Sequence, residues 1–235
     1  MKRIDILFLL LIGSLAIFSS CSEEVNEITE NPDPSFETGV FTDSRDGNVY
    51  STVNIGDQTW MTENLRFRAD AGCWAYKNDE SLVGKYGYLY NWDVAVDTTL
   101  IPKGWHLPSD EEWDLLLDTL ENLDFSVDTS FVALAKSMAS AKTWNPTLSV
   151  GCPGSGDYSE FRNRSHFSAI ATGVMQSDTT FAGEGYFTKW WSSTGRGNTA
   201  YSYGISNGRT NIISIKDTKS MGLNIRCVKD ELTEK

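Results

Sequence analysis

The segment GWHLPSDEEWDLLLDTL, residues 104–120, carries the strongest local signal for a defined secondary structure in this chain. Ser109 and Glu112 are spaced as a capping box, in which each side chain accepts a hydrogen bond from the backbone N–H of the other. Pro108 disfavours a helical conformation at the residue before it. The apolar residues that follow recur at helical spacing: Trp113, Leu116, Leu117 and Leu120. The pattern predicts an amphipathic helix that begins after Ser109 and buries one apolar stripe.

His106 lies just before three carboxylates, Asp110, Glu111 and Glu112, and this grouping is also typical of a metal site or an acid–base pair. Acidic residues in the first turn of a helix are favoured by the helix dipole, which gives them a structural role. We therefore interpret His106 as a structural residue whose imidazole is hydrogen-bonded near the core, and expect the carboxylates to serve the helix. The second histidine, His166, has no neighbours at triad or metal-ligand spacing and is assigned to a loop or the start of a strand.

The first twenty residues have the pattern of an export signal. A basic start, MKR, precedes an apolar run over 6–18, which is too short to span a bilayer. Two serines then precede Cys21, as in a bacterial lipobox. We interpret 1–20 as a lipoprotein signal peptide and Cys21 as the lipid attachment site; plain cleavage with Cys21 as a bystander is the alternative. The acidic residues after Cys21 resemble those of surface-exported lipoproteins and predict a surface-exposed outer membrane protein, whose membrane contact is the lipid anchor.

Composition divides the rest of the chain. Residues 21–38 are acidic and proline-containing, without an apolar period, and are interpreted as a flexible tether. The predicted domain covers 39–230, and 231–235 form a tail. With 8 Trp, 9 Tyr and 11 Phe the chain has ample aromatic surface for a core. Its net charge of −12 argues against nucleic acid as a partner, because phosphate binding needs a basic surface.

Turn signals and strand patterns predict the fold class. Asp46-Gly47, Gly56-Asp57 and Asn207-Gly208 are typical of hairpins. A short helical turn is expected around Asp93–Val96. Strand candidates lie around 167–175, 189–194, 200–206, 210–215 and 222–228. Together they predict an α+β domain with short helices on mainly antiparallel, aromatic-rich sheets.

Several motifs occur in an order that resembles one known family. They are TDSRDGNVYSTVNIGDQTWMTENL, CWAYKND, YGYLYNWDVAV, IPKGWHLPSDEEWDLL, FSAIATG, WWSST and GLNIRCVKD. The chain resembles the Fibrobacter succinogenes major paralogous domain (FISUMP) family from about Gly39 to Asp230. That family is similar in pattern to the C-type-lectin-like fold shared with formylglycine-generating enzymes, with landmarks here at Gly104–Trp113 and Gly222–Cys227. The resemblance implies this fold and an exported protein, and no settled biochemical function.

The number and positions of the cysteines limit the disulfides that the domain can form. Cys73, Cys152 and Cys227 remain after the signal segment and allow at most one intramolecular disulfide, whose pairing the sequence leaves open. Family copies often carry a cysteine where this chain has Ile101, so the resemblance implies that Cys227 is an unpaired buried thiol. The cysteine pair that formylglycine-generating enzymes use is missing, since no cysteine lies between Cys152 and Cys227. No catalytic residue, metal site or cofactor is therefore assigned.

Exposed aromatic residues are the candidate binding surface. Trp190 and Trp191 are adjacent, so on a strand they face opposite sides. If one faces the core, Trp191 with Tyr201 and Tyr203 would form a platform that stacks on sugar rings; alternatively, these residues fill the core. We expect a non-catalytic ligand-binding or adhesion domain for a polysaccharide or a surface protein. A structural or assembly subunit of the cell envelope is the alternative, and a divergent formylglycine-generating-type enzyme is least favoured.

Overall fold

The computed structural model describes residues 36–127 and 133–231. The predicted signal peptide, Cys21 and most of the tether and tail lie outside these residues. The strands are β1 (Thr38–Thr42), β2 (Val49–Ile55), β3 (Gln58–Met61), β4 (Cys73–Ala75), β5 (Tyr88–Tyr90), β6 (Trp105–His106), β7 (Val174–Met175), β8 (Phe181–Ala182), β9 (Phe187–Arg196), β10 (Thr199–Ser206), β11 (Ile213–Thr218) and β12 (Val228–Lys229). The helices are α1 (Val83–Tyr86), α2 (Trp92–Ala95), α3 (Asp110–Asn122) and α4 (Ala135–Met138).

The strands form mainly antiparallel sheets, which confirms the predicted α+β class. One sheet has the order β1-β2-β3-β12-β6 and a second has the order β11-β10-β9. Two further antiparallel sheets have two strands each, β4-β5 and β7-β8. In the larger sheet the C-terminal strand β12 is inserted between β3 and β6, with Val228 paired to both Trp60 and His106. This insertion brings the end of the domain next to the start of α3.

The predicted turns close the expected hairpins. The loop after β1 contains Gly47 at φ 77°, and Gly56 at φ 58° turns β2 into β3, so both glycines use the left-handed region that other residues avoid. The hairpin through Asn207-Gly208 joins β10 to β11. The predicted strands 167–175 and 222–228 are shorter than expected: they reduce to β7, to the start of β12 and to a few isolated bridges, such as Trp190 with Asn224.

The domain begins slightly before the predicted boundary. Strand β1 starts at Thr38, and the ring centroid of Phe36 lies 5.2 Å from that of Phe125. The backbone carbonyl of Glu37 accepts a hydrogen bond of 2.9 Å from the N–H of Asn54. Residues 36–38, assigned to the tether by composition, therefore contact the folded domain. Polar, proline-rich composition does not show where the first ordered backbone pairing begins.

Helix α3 confirms the prediction from the capping pattern. Ser109 is the N-cap, its side chain accepts from the N–H of Glu112, and the Glu112 side chain accepts from the N–H of Ser109. Trp113, Leu116 and Leu120 are buried on one face, while Leu115 remains exposed. The stripe packs into a cluster that includes strands of both larger sheets.

Replacing Ser109 by alanine is expected to lower the free energy of unfolding by about 1 kcal/mol. The change removes the acceptor for the N–H of Glu112 and leaves the apolar stripe intact. Urea unfolding of the purified protein measures this loss, with the unfolding slope unchanged. A loss below a few tenths of a kcal/mol would mean that the cap adds little to the stability of α3.

The three cysteines of the domain are free thiols in the structure. Cys227 is fully buried and shares a core cluster with Ile101, which occupies the position where family copies often have a cysteine. Burial raises the pKa of the Cys227 thiol to about 12. Cys227 is therefore a packing residue, as the resemblance implied.

Within the described residues, no helix combines the length and the apolar character needed to cross a membrane.

Candidate ligand-binding site

The predicted platform of exposed aromatic residues is wrong for two of its three members. Trp191 is 0% exposed, and its Nε1 donates a 2.7 Å hydrogen bond to the carbonyl of Tyr90. Tyr203 is 2% exposed and its ring stacks on Trp113, with 4.9 Å between centroids. Tyr201 alone is half-buried, and Lys216 Nζ lies 4.8 Å from its ring centroid.

The cause of this error is that strand β9 has a core on both sides. The side chains of Trp190 and Trp191 do alternate, and they enter two different hydrophobic clusters. Trp190 packs beside Trp113 under α3, whereas Trp191 packs with Tyr90 and Leu223. Alternation along a strand predicts opposite faces, but it does not show whether the second face meets solvent or another layer.

His106 is the centre of a charged cluster. Its Nε2 lies 2.6 Å from Glu112 Oε1, and its Nδ1 lies 2.7 Å from Asp230 Oδ1. The second oxygen of Glu112 accepts the backbone N–H of Ser109 at 2.7 Å. The expectation that the carboxylates serve the helix instead of the histidine is therefore wrong for Glu112, which does both. We define His106, Glu112 and Asp230 as the His106 cluster.

The geometry favours the imidazolium form of His106. Each ring nitrogen faces a carboxylate oxygen, and only the cation can donate from both nitrogens. The hydrogen bond to Glu112 raises the pKa of His106; burial opposes this shift and Asp230 adds to it. Burial opposes ionisation of Glu112, but the bonds to His106 and Ser109 outweigh it, so the pKa of this carboxyl lies below its usual value.

The free energy of unfolding is expected to fall as the pH rises above neutral. His106→Gln is expected to remove this dependence of stability on pH. Because the pKa of His106 is higher in the folded chain, its contribution is complete below the unfolded value near 6.5 and is lost as the pH rises through the folded pKa. Urea midpoints measured from about pH 5.5 to 8, in steps of about half a pH unit, test this below the range in which the buried thiols Cys152 and Cys227 begin to contribute. His166→Gln is the matched control and should keep this dependence on pH.

A pocket of about 410 Å³ adjoins the His106 cluster. Helix α2 supplies Trp92 and Ala95, the segment through β6 supplies Trp105 and His106, and strand β9 supplies Ser193. The walls are mainly apolar, and His106 is the charged side chain that lines them; its partners Glu112 and Asp230 lie behind the imidazole and do not line the pocket. This His106 pocket is within the size range of small-molecule sites, about 300–1,000 Å³.

Trp92 is held rigidly at the pocket wall. Its Nε1 donates to the carbonyl of Ser192 at 2.9 Å, and Lys219 Nζ lies 3.7 Å from the ring centroid. Gly195 lets the strand approach the indole closely, since a Cβ at this position would lie 2.6 Å from Trp92 Cζ2. A wall with a fixed geometry can bind a ligand without first losing conformational entropy.

Local sequence patterns did not reveal this site. Asp230 is 124 residues away from His106 in the chain and reaches it because β12 pairs with β6. The sequence did predict the short helix α2, whose N-cap Asn91 accepts from the N–H of Val94, but not that Trp92 lines a pocket. Among the described residues, no group of three or more His, Cys, Asp or Glu side chains is arranged to hold a metal ion.

Comparison with known proteins shows the family to which the chain belongs. Neither the curated proteins nor the solved structures included a match to this chain. The family model of the Fibrobacter succinogenes major domain matches residues 53–229, a range that runs from β2 through β12 and includes His106 and Glu112. Since the match covers most of the sequence, this chain belongs to the Fibrobacter succinogenes major domain family.

Proposed function

We propose that this protein is an exported lipoprotein, anchored through Cys21 at the outer face of the outer membrane, whose domain binds a carbohydrate ligand without catalysis. The domain is proposed to have a C-type-lectin-like fold, on the landmarks at Gly104–Trp113 and Gly222–Cys227. The binding site is the His106 pocket. The observation that carries the proposal is the placement of two tryptophans beside a histidine clamped between two carboxylates.

Sugars suit this combination of surfaces. A pyranose ring has C–H faces that pack on aromatic side chains, and hydroxyl groups that need acceptors and donors at the edges. Trp92, which is half-buried, supplies an aromatic wall of the pocket, and Trp105, which is 8% exposed, lines it with a small part of its ring. The carboxylates of Glu112 and Asp230 do not line the pocket, but they are 31% and 52% exposed, so a ligand that extends past His106 has hydroxyl acceptors there.

The same geometry argues for binding without catalysis. A general base needs a free lone pair within reach of the proton that it removes. Both ring nitrogens of His106 already face carboxylates, so the imidazolium has no lone pair to offer. The buried thiols of Cys152 and Cys227 have raised pKa values, the direction opposite to that of a reactive cysteine.

The experiment measures glycan binding by the protein and by a variant whose His106 pocket is filled by an added side chain. The full chain, purified in detergent, is screened on a glycan array, and each ligand found is titrated by calorimetry. Ser193 is exposed at the pocket, so Ser193→Trp should fill the pocket without removing a core residue and weaken binding by at least about tenfold.

Ser149→Trp is the matched control, because it adds the same indole to an exposed loop position that does not line the pocket. It should leave the affinity unchanged. If no glycan binds, the carbohydrate proposal is wrong, and if both tryptophan variants lose binding equally, the ligand does not occupy the His106 pocket.

A further inference from the structure

A second, polar pocket of about 340 Å³ is separate from the His106 pocket. Its wall includes Asn64 and Arg66 from the segment after β3, Lys85 from α1, Ser168, and Arg226 from the segment before β12. No residue lines both pockets. We call this the Arg226 pocket, because Arg226 is its most unusual member.

Arg226 is a buried cation whose partners are neutral. It is 0% exposed. Its Nη1 donates to the carbonyls of Phe167 at 2.8 Å and Met61 at 3.3 Å, and its Nη2 donates to Asn64 Oδ1 at 3.0 Å. Within the described residues, its Nε–H has no hydrogen-bond partner.

Among the residues that the structure describes, no carboxylate forms an ion pair or hydrogen bond with this charge, and Glu63 favours the charged form only through a weaker Coulombic attraction. Burial lowers the pKa of Arg226 to about 9, which still leaves the guanidinium cationic at neutral pH. Its carbon Cζ lies 4.6 Å from the ring centroid of Phe167 and 5.6 Å from that of Trp190, and these contacts offset part of the desolvation cost. A buried cation normally has a carboxylate as well, because removing one charge from water costs several kcal/mol.

The rim of the pocket adds further positive charge. Arg66 and Lys85 both line it, against one acid, Glu63. Each of these rim groups already has a partner in the chain. Glu63 Oε2 accepts the N–H of Ser51 at 2.9 Å and lies 3.8 Å from Arg66 Nη1. Lys85 Nζ donates to the hydroxyl of Tyr86 at 2.7 Å. The two rim cations with the buried guanidinium still outnumber the one acid. The pocket is therefore locally cationic in a chain whose net charge is −12.

We propose that the Arg226 pocket binds a small carboxylate anion, which acts as the counter-ion of Arg226. The planar guanidinium matches the geometry of a carboxylate, and a charge-assisted hydrogen bond is stronger than one to a neutral acceptor. Arg66 and Lys85 attract the anion at the rim. This site is independent of the carbohydrate ligand proposed for the His106 pocket.

The test uses acetate as the probe, with the full chain. Binding to the folded state raises the melting temperature as the ligand concentration rises. Sodium acetate should raise it by more than sodium chloride at matched ionic strength, and inorganic phosphate should have a smaller effect than acetate. Equal effects of acetate and chloride would overturn the proposal, and a larger effect of phosphate would contradict the choice of a carboxylate.

Variants that remove positive charges test whether acetate binds in the Arg226 pocket. The double change Arg66→Gln and Lys85→Gln should weaken acetate binding by at least about tenfold. Lys103→Gln with Arg196→Gln removes the same charge from exposed positions outside the pocket and should have no such effect. Equal weakening by both pairs would show only a general charge effect and would contradict the site.

Two further variants separate this site from structural effects. Arg226→Lys keeps the charge and loses the planar group, so a folded variant should bind acetate at least about tenfold more weakly. Asn64→Asp supplies a carboxylate from within the chain, next to Arg226 Nη2, and should remove the stabilisation by acetate. Ser193→Trp should leave acetate binding unchanged, because it alters only the His106 pocket. Unaltered acetate binding in Asn64→Asp would overturn the proposal.

Discussion

Trp113→Ala is expected to lower the free energy of unfolding by about 3–5 kcal/mol, among the largest losses for a single substitution in this domain. The indole is 0% exposed. Its ring centroid lies 4.9 Å from those of both Trp60 and Tyr203, and 5.8 Å from that of Trp190. Within the described residues its Nε1 has no hydrogen-bond partner, so the loss is one of packing and cavity formation.

Urea unfolding, followed by tryptophan fluorescence and by circular dichroism, measures this loss. Because domains are stable by only about 5–15 kcal/mol, the variant is expected to be partly unfolded at 37 °C. Leu115→Ala is the matched control on the same helix, since Leu115 is 51% exposed and should change the stability by less than about 0.5 kcal/mol. Similar losses for the two variants would show that α3 does not bury its stripe as described.

Asn64→Leu is expected to cost about 3 kcal/mol or more, because it leaves two buried donors without an acceptor. Asn64 Oδ1 accepts from Trp190 Nε1 at 2.8 Å and from Arg226 Nη2 at 3.0 Å. One of these donors is charged, which raises the penalty. The Asn64 side chain also donates to the carbonyl of Tyr86 at 2.9 Å.

Asn64→Asp is the matched comparison, since it keeps an acceptor for both donors and adds a negative charge beside Arg226. It should therefore be less destabilising than Asn64→Leu in the same urea experiment. A leucine variant as stable as the aspartate variant would mean that Asn64 fills space and that its hydrogen bonds contribute little to stability.

The parts of this fold that follow from local chemistry were predictable from the sequence. The capping box at Ser109 and the apolar stripe from Trp113 specify α3, because each signal depends on neighbours within a few residues. The glycine turns at Gly47 and Gly56 specify two hairpin connections for the same reason. The family landmarks coincide with these elements.

The parts that depend on the second face of a strand were not predictable. Alternation in GLNIRCVKD places Leu223, Ile225 and Cys227 on one side and would place Asn224 and Arg226 toward solvent. Both polar residues are 0% exposed, because the other side meets a second cluster. Trp191 is buried for the same reason. A single sequence does not reveal how many layers cover a strand.

The candidate site shows the same limit. His106 is recognisable as unusual from its neighbouring carboxylates, but its second partner, Asp230, comes from the far end of the domain. The insertion of β12 between β3 and β6 creates the cluster, and strand order is a property of the whole fold. The position of Trp92 at the pocket likewise depends on the glycine at position 195 of a distant strand, which allows the close approach of the indole.

The most direct test of carbohydrate binding in the His106 pocket is an NMR titration that resolves the eight indole N–H signals and the histidine ring nitrogens. On addition of a glycan found on the array, the signals of Trp92, Trp105 and His106 should shift together, with one dissociation constant. Trp60, Trp113 and Trp190 are buried elsewhere and should not follow that curve. A saturable shift confined to other tryptophans, with Trp92 and His106 unchanged, would contradict the proposed site.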